Sequence, residues 1–110
     1  MTDPLSIPDL ATQFASLAFE PFRDGVDIHY MKEGAPAVAL LRYAPGARVP
    51  KHRHTGLETI LVLEGAQSDE RGTYPTGSFI LNPEGSVHSV WSDSGCVVLI
   101  QWERPVEILE

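Results

Sequence analysis

Turn signals containing glycine recur at short and fairly even intervals along this chain, from residue 24 to residue 95. Glycine and its Asp, Pro, Thr or Ser neighbours form such signals because they adopt the backbone conformations that tight turns require. All nine glycines of the chain belong to one of them: Asp24-Gly25, Glu33-Gly34, Pro45-Gly46, Thr55-Gly56, Glu64-Gly65, Arg71-Gly72, Pro75-Thr76-Gly77, Pro83-Glu84-Gly85 and Ser94-Gly95. The segments between them have strand length, so the spacing predicts an all-β fold of many short strands.

The composition of these segments also favours β-strands. Five runs are rich in β-branched, aromatic or aliphatic side chains: Ala37 to Tyr43, Thr59 to Leu63, Ser78 to Leu81, Val87 to Trp91 and Val97 to Trp102. Many short strands with regular turns are typical of a sandwich or a barrel. We therefore expect residues 21–110 to form one barrel domain.

Residues 1–20 are expected to form an N-terminal arm. Residues that often begin helices precede three apolar residues at helical spacing: Ser6, Pro8 and Asp9, then Leu10, Phe14 and Leu17. This pattern predicts one short helix outside the barrel. The alternative is an irregular arm that leads into an early strand at Val26 to Tyr30, and the sequence does not separate the two.

Composition limits the class of protein. A chain of 110 residues with 43% hydrophobic and 21% charged residues resembles one ordinary globular domain. The net charge of -7 repels nucleic acid and anionic lipid, so neither is an expected partner. Cys96 is the only cysteine, which excludes an intramolecular disulfide. Neither a signal-peptide pattern nor an apolar stretch of ~20 residues is evident, so the cytoplasm is the expected location.

Two runs are apolar at every position, Ile60 to Leu63 and Val97 to Ile100. A strand with core on one side and water on the other should instead alternate apolar and polar residues. Both faces of these strands are therefore expected to be covered. A barrel interior covers one face, and the other must meet a second sheet layer, the N-terminal arm or another copy of the chain. We predict a homodimer, with a monomer as the alternative.

Three of the four histidines form a spaced pattern with one glutamate. His52 and His54 are two residues apart, so in a strand their imidazoles point to the same face. After a tight turn, Glu58 begins the next strand. His88 follows a second turn, at residues 82–85, which can return the chain to the same cavity. The pattern predicts one metal site formed by His52, His54, Glu58 and His88.

The ligand set selects a class of metal. Three imidazoles and a carboxylate suit one divalent transition metal such as Zn, Fe, Mn or Ni, whereas Ca or Mg prefers more oxygen ligands. Four protein ligands complete a tetrahedral zinc site but leave two positions open on an octahedral ion. The sequence leaves open which of these applies, and it names no catalytic residue.

Other polar and aromatic residues receive plainer interpretations. His29 lies outside the pattern and is expected on the surface. Glu64, Asp69 and Glu70 are expected at a solvated hairpin tip. Four aromatic residues are expected to fill the core, with a cavity wall as the alternative: Tyr43, Tyr74, Trp91 and Trp102.

Two segments, residues 46–65 and 77–88, resemble the paired motifs of the cupin superfamily. Their motif residues are Gly46, His52, His54, Glu58 and Gly65, then Gly77, Pro83, Gly85 and His88. Cupins are double-stranded β-helix (jelly-roll) barrels that usually hold one metal through three histidines and a glutamate. The resemblance implies that fold and the ligand set above. The asparagine that often closes the second motif is Ser92 here.

A more specific resemblance covers about residues 17 to 102. It is carried by Pro21-Phe22-Arg23, Leu41-Arg42-Tyr43, Pro45-Gly46-Ala47, His54-Thr55-Gly56 and Tyr74-Pro75. These segments are similar to ChrR-type cupins, which are often the C-terminal half of an anti-sigma factor and have diketone-cleaving dioxygenases among their stand-alone relatives. The resemblance implies a sensory or small-ligand-binding module, with a dioxygenase as the alternative. The sigma-binding half of such proteins is helical with paired cysteines, so this chain is not expected to be a complete anti-sigma factor.

Overall fold

The computed structural model describes residues 3–109, and within this range the chain is mostly β-structure. A short helix, α1 (Leu10–Gln13), continues into a 3-10 turn at Phe14–Ser16. Ten strands follow: β1 Glu20–Arg23, β2 Val26–Lys32, β3 Ala37–Tyr43, β4 Arg48–Arg53, β5 Glu58–Asp69, β6 Gly72–Pro75, β7 Phe79–Asn82, β8 Val87–Trp91, β9 Cys96–Trp102 and β10 Glu107–Ile108.

The strands form one curled sheet that folds back on itself as two layers. Their order is β1-β2-β3-β9-β5-β8-β4-β10, with β6 and β7 also paired to β5. Every pairing is antiparallel. Strand β5 belongs to both layers, because its first part pairs with β9 and its last residues pair with β6. The predicted all-β jelly-roll fold is confirmed.

One predicted turn is wrong, and the error has a clear physical reason. The Glu64-Gly65 pair does not end a strand but lies inside β5. The pairing with β9 shifts register between Val62 and Glu64, and Gly65 has a φ of 72°. A bulge with a glycine in the left-handed region bends a strand without ending it. The predicted run 59–63 is therefore the first half of a longer strand that passes between the two layers.

The N-terminal region contains both of the structures that the sequence left open. Helix α1 is present, although its N-cap residue Asp9 makes no side-chain capping hydrogen bond. The early strand is present as well, as β2. No helix in residues 3–109 is long and apolar enough to cross a membrane. The division of the chain at residue 20 stays a prediction.

The two faces of the apolar runs meet different partners. Ile60 and Val62 point into the main core between the layers. On the outer face, Val97 packs in a second cluster with Phe14 of the N-terminal arm and with Leu40. The arm is therefore one of the covers that the sequence required. The predicted homodimer is a separate matter and stays a prediction.

Candidate metal centre

The structure brings three of the predicted ligands together. His52 in β4 pairs directly with His88 in β8, and His54 lies one residue beyond the end of β4. All three side chains are buried, and their ligand atoms lie within 4.8 Å of one another. The ring centroids are 4.7 to 5.1 Å apart. The pleat of β4 and its pairing with β8 thus produce the convergence that the spacing predicted.

Each imidazole is oriented by an acceptor on its Nδ1 side. The three contacts are His52 Nδ1 to Pro50 O at 2.7 Å, His54 Nδ1 to Ser86 O at 3.0 Å, and His88 Nδ1 to Asp69 Oδ2 at 3.1 Å. Carbonyl and carboxylate oxygens accept hydrogen bonds, so each Nδ1 carries the donated proton. At His52 and His88 this fixes the tautomer in which Nε2 has a free lone pair, as metal-binding histidines require, whereas His54 Nε2 faces the Glu58 carboxylate at 3.1 Å.

One of these Nε2 atoms supplies a test of whether a cation fits. His88 Nε2 is buried and has no hydrogen-bond partner among residues 3–109. Leaving a buried polar atom unpaired costs roughly 1–3 kcal/mol. A transition metal would pair this lone pair, and neutral imidazole is among its preferred ligands. The three histidines could therefore hold a metal ion.

Glu58 adjoins the histidine cluster through one member of it. Its Oε1 lies 3.1 Å from His54 Nε2 and accepts a hydrogen bond from Asn82 Nδ2 at 3.0 Å. Two ligand atoms each about 2.1 Å from one ion, at a right angle, are about 3.0 Å apart. The 3.1 Å contact between Glu58 and His54 suits two adjacent ligands of one ion. In the described part of the chain, however, the cluster whose ligand atoms all lie close to one another contains only the three histidines. Glu58 as a ligand stays a prediction.

Asp69 corrects the expectation of a solvated hairpin tip. Glu64 and Glu70 are exposed, but Asp69 is buried. Besides His88, it accepts hydrogen bonds from the Tyr74 hydroxyl and the Arg71 backbone, both at 2.9 Å. The reason is that β5 continues past Gly65 into the second layer. No local spacing links Asp69 to His88, so sequence patterns could not find this residue.

The pKa shifts of two histidines follow from their surroundings. Burial disfavours the charged imidazolium and lowers the pKa of His52, with a further contribution from neighbouring His88. Burial also opposes charge on His54, but the hydrogen bond and negative charge of Glu58 outweigh it and raise the pKa of His54. His52 is therefore neutral and ready to bind. A cation that took His54 and Glu58 together would displace the proton they share.

A cavity of about 580 Å³ adjoins the site. His52 and Glu58 form part of its wall, and most of the rest is apolar. Tyr43 and Trp102 line it as well as packing in the core, so for these two both interpretations apply. The volume of the cavity is within the range of small-molecule pockets.

His29 lies apart from the cavity and from the three clustered histidines. It is half-buried beside the N-terminal arm, with its Nδ1 2.7 Å from Ala18 O.

Comparisons with known proteins agree with this description. The ChrR cupin-like domain family matches residues 8–105. The anti-sigma-E factor ChrR of Cereibacter sphaeroides is 33% identical over 85 residues, which are 74% of this chain and 40% of that protein. In the structure of Rhodobacter sphaeroides SigE in complex with the anti-sigma ChrR, the match has 27% identity and a TM-score of 0.70, and covers 78% of this chain and 48% of that one. This chain therefore spans less than half the length of these relatives.

A more distant structure covers the whole chain. Acetylacetone dioxygenase from Acinetobacter johnsonii has a TM-score of 0.80 at 14% identity, covering 100% of this chain and 79% of that one. At this identity the likeness shows the fold alone.

Proposed function

Because this chain belongs to the ChrR cupin-like family, we propose that it is a sensory or small-ligand-binding module containing one divalent transition metal per chain. The proposed ligands are His52, His54, His88 and Glu58, and the metal is one of Zn, Fe, Mn or Ni. The observation that carries the proposal is the convergence of three buried imidazoles whose Nδ1 atoms are already held. When bound, such an ion supplies positive charge beside the cavity.

The surrounding residues have separate tasks in this proposal. Asp69 and the carbonyls of Pro50 and Ser86 hold the rings in one orientation. Asn82 holds the Glu58 carboxylate through its Nδ2. The apolar walls of the cavity limit water at the site, which strengthens polar contacts to a ligand.

The test is metal content measured by elemental analysis. We expect about one ion per chain in the purified protein, and a lower metal content in His88→Ala and in Glu58→Gln, because each removes a ligand and weakens binding. His29→Ala is the matched control, since His29 lies outside the cluster. Protein that contains no ion and takes none up on titration would overturn the proposal, as would equal loss in the control.

A protein partner is part of the proposed sensory role. The ChrR relative is an anti-sigma factor and has been crystallised with SigE. This chain corresponds to less than half of that protein. We propose that binding of a small ligand at the metal site alters a contact with another protein, without turnover of the ligand.

A second candidate is an oxygen-dependent enzyme that cleaves a small diketone. The observation that favours it is the apolar cavity that reaches His52 and Glu58. Oxygen uptake by iron-loaded protein over a panel of diketones, thiols and phenols separates the two candidates. A module predicts background uptake with every compound. Uptake that depends on one diketone and disappears in His88→Ala would favour the enzyme.

We also propose that the chain forms a homodimer through β7. This strand is at an edge, because it pairs only with β5 among the described residues. Phe79 and Leu81 on its outer face are 65% and 52% exposed. An apolar edge strand with free backbone groups favours pairing with another strand, and antiparallel pairing with a second copy is self-complementary.

A further inference from the structure

The cavity beside the histidine cluster has a second polar region. Tyr43 pairs with Val26 across β3 and β2, and Val26 pairs with Arg23 across β2 and β1. This row lies at one end of β3. Ala37, at the other end of β3, is in the same row as Glu58, because both pair with Trp102. Arg23 and Tyr43 both line the cavity. The cavity therefore extends from the proposed metal ligands to a separate group of polar side chains.

That group consists of hydrogen-bond donors. Burial raises the pKa of the Tyr43 phenol well above its usual value, so the hydroxyl keeps its proton. The Gln67 side chain, which also lines the cavity, is close enough to this hydroxyl to lower its pKa. The Arg23 guanidinium is close enough to act on the pKa of Tyr43 in the opposite direction to burial. Three side chains with N–H or O–H groups therefore line the same cavity.

Arg23 has no carboxylate partner of its own. It is the one Lys or Arg side chain among the cavity-lining residues, and no ion pair joins it to an acidic residue within residues 3–109. It is half-buried, with its guanidinium 6.0 Å from the Phe22 ring centroid. A guanidinium without a partner in a mostly apolar cavity favours an anion, because pairing offsets the cost of burying its charge.

We propose that this region binds the carboxylate of a small organic acid. Arg23, Tyr43 and Gln67 hold the carboxylate, the hydrocarbon body packs against apolar walls that include Ile60 and Ile100, and the far end reaches the metal site. The last element rests on the proposed function. With the proposed ion bound, the positive charges of the ion and of Arg23 outweigh the single negative charge of Glu58. The cavity is then cationic and favours an acid over its neutral amide.

The experiment compares two probes of nearly equal shape, 3-phenylpropanoate and 3-phenylpropanamide, by calorimetric titration of zinc-loaded and chelator-treated protein. We expect the acid to bind at least about tenfold more tightly than the amide in both samples, because a charge-assisted hydrogen bond is stronger than a neutral one. Arg23→Met keeps much of the apolar stem and should reduce this ratio to about one. Tyr43→Phe should reduce the ratio partly, because the carboxylate loses one of its donors.

Arg48→Met is the matched control, because Arg48 stacks on Trp91 at 5.7 Å and does not line the cavity. The ratio should be unchanged there, and circular dichroism shows whether each variant is folded. An acid that binds Arg23→Met as tightly as wild type has its carboxylate elsewhere, on the metal for example, and overturns the inference. Equal affinity of the wild-type protein for acid and amide also overturns the inference.

Metal content measured on the same samples separates this inference from the proposed function. Protein that lacks metal but shows a ratio dependent on Arg23 supports the carboxylate site and contradicts the metal role. Protein that binds one metal ion but does not distinguish acid from amide supports the metal role and contradicts the carboxylate site.

Discussion

At the scale of single residues, Asp69 determines how His88 is held. We expect Asp69→Asn to weaken zinc binding roughly 10- to 100-fold, the usual effect of losing a carboxylate behind a metal-binding imidazole. A neutral amide is a weaker acceptor for the His88 Nδ1 proton, so the ring is less firmly oriented. Competition with a chelating dye measures the affinity. Glu70→Gln is the control, because this neighbouring carboxylate is exposed and accepts from the Ser89 backbone; an equal loss in both variants would contradict the assignment.

The acid sensitivity of the site depends on the Glu58 and His54 pair. Glu58 raises the pKa of His54 above its ordinary 6.5, so His54 keeps its proton to a higher pH and a metal must compete with that proton. Metal affinity should therefore fall as pH drops through this raised pKa, while His52, with a lowered pKa, is already neutral. In Glu58→Gln the raising influence is lost, and the fall should shift to lower pH although binding is weaker overall. Apparent Kd values between pH 5 and 8 test this, and a curve with no shift would count against it.

The residues that sequence analysis identified are those governed by local geometry. His52 and His54 are two residues apart at the end of β4, and the turn before His88 is marked by proline and glycine. Asp69 and Asn82 were missed as site residues because their contacts, to His88 and Glu58, depend on strand pairing across 19 and 24 residues. Spacing thus predicts candidate ligands, but their supporting partners require the fold.

At the scale of elements, Gly65 is what allows β5 to serve both layers. A Cβ atom at residue 65 would collide with the Gly95 carbonyl oxygen, and the φ of 72° adds strain for any other residue. We expect Gly65→Ala to lower the free energy of unfolding by about 2 kcal/mol or more. Gly46→Ala is the control: its φ is 83°, but a Cβ there meets nothing within 4 Å, so only the backbone cost of about 1 kcal/mol applies. Urea unfolding measures both losses, and equal values would show that the collision is relieved.

The same element explains what the sequence could predict of the fold. Strands β3 and β8 have the bounds expected from their β-branched and aromatic runs. Glycine, however, marks a bulge as readily as a turn, because both use positive φ. The pattern therefore predicted many short strands correctly and mistook the glycine bulge in β5 for a turn.

At the scale of the whole molecule, the outer face of the sheet has two different regions. The N-terminal arm covers one region, where Phe14, Leu40 and Val97 are buried together. The other region, around β7, is not covered by any described residue of the chain, since Phe79 and Leu81 are both exposed. The arm explains why the two apolar runs need no partner on its side, and the proposed dimer contact is at the β7 edge, where apolar side chains remain exposed.

The dimer contact is tested by removing its apolar side chains. Wild-type protein at about 10 µM should have twice the chain mass of 12.1 kDa by light scattering, because burying the apolar edge of two copies favours association. The double variant Phe79→Ser and Leu81→Ser should be a monomer with unchanged circular dichroism. Leu5→Ser is the matched control, since Leu5 is as exposed as Phe79, 65% in each case, but lies in the arm. This variant should remain a dimer, because Leu5 lies outside the β7 edge; a monomeric wild type would refute the contact.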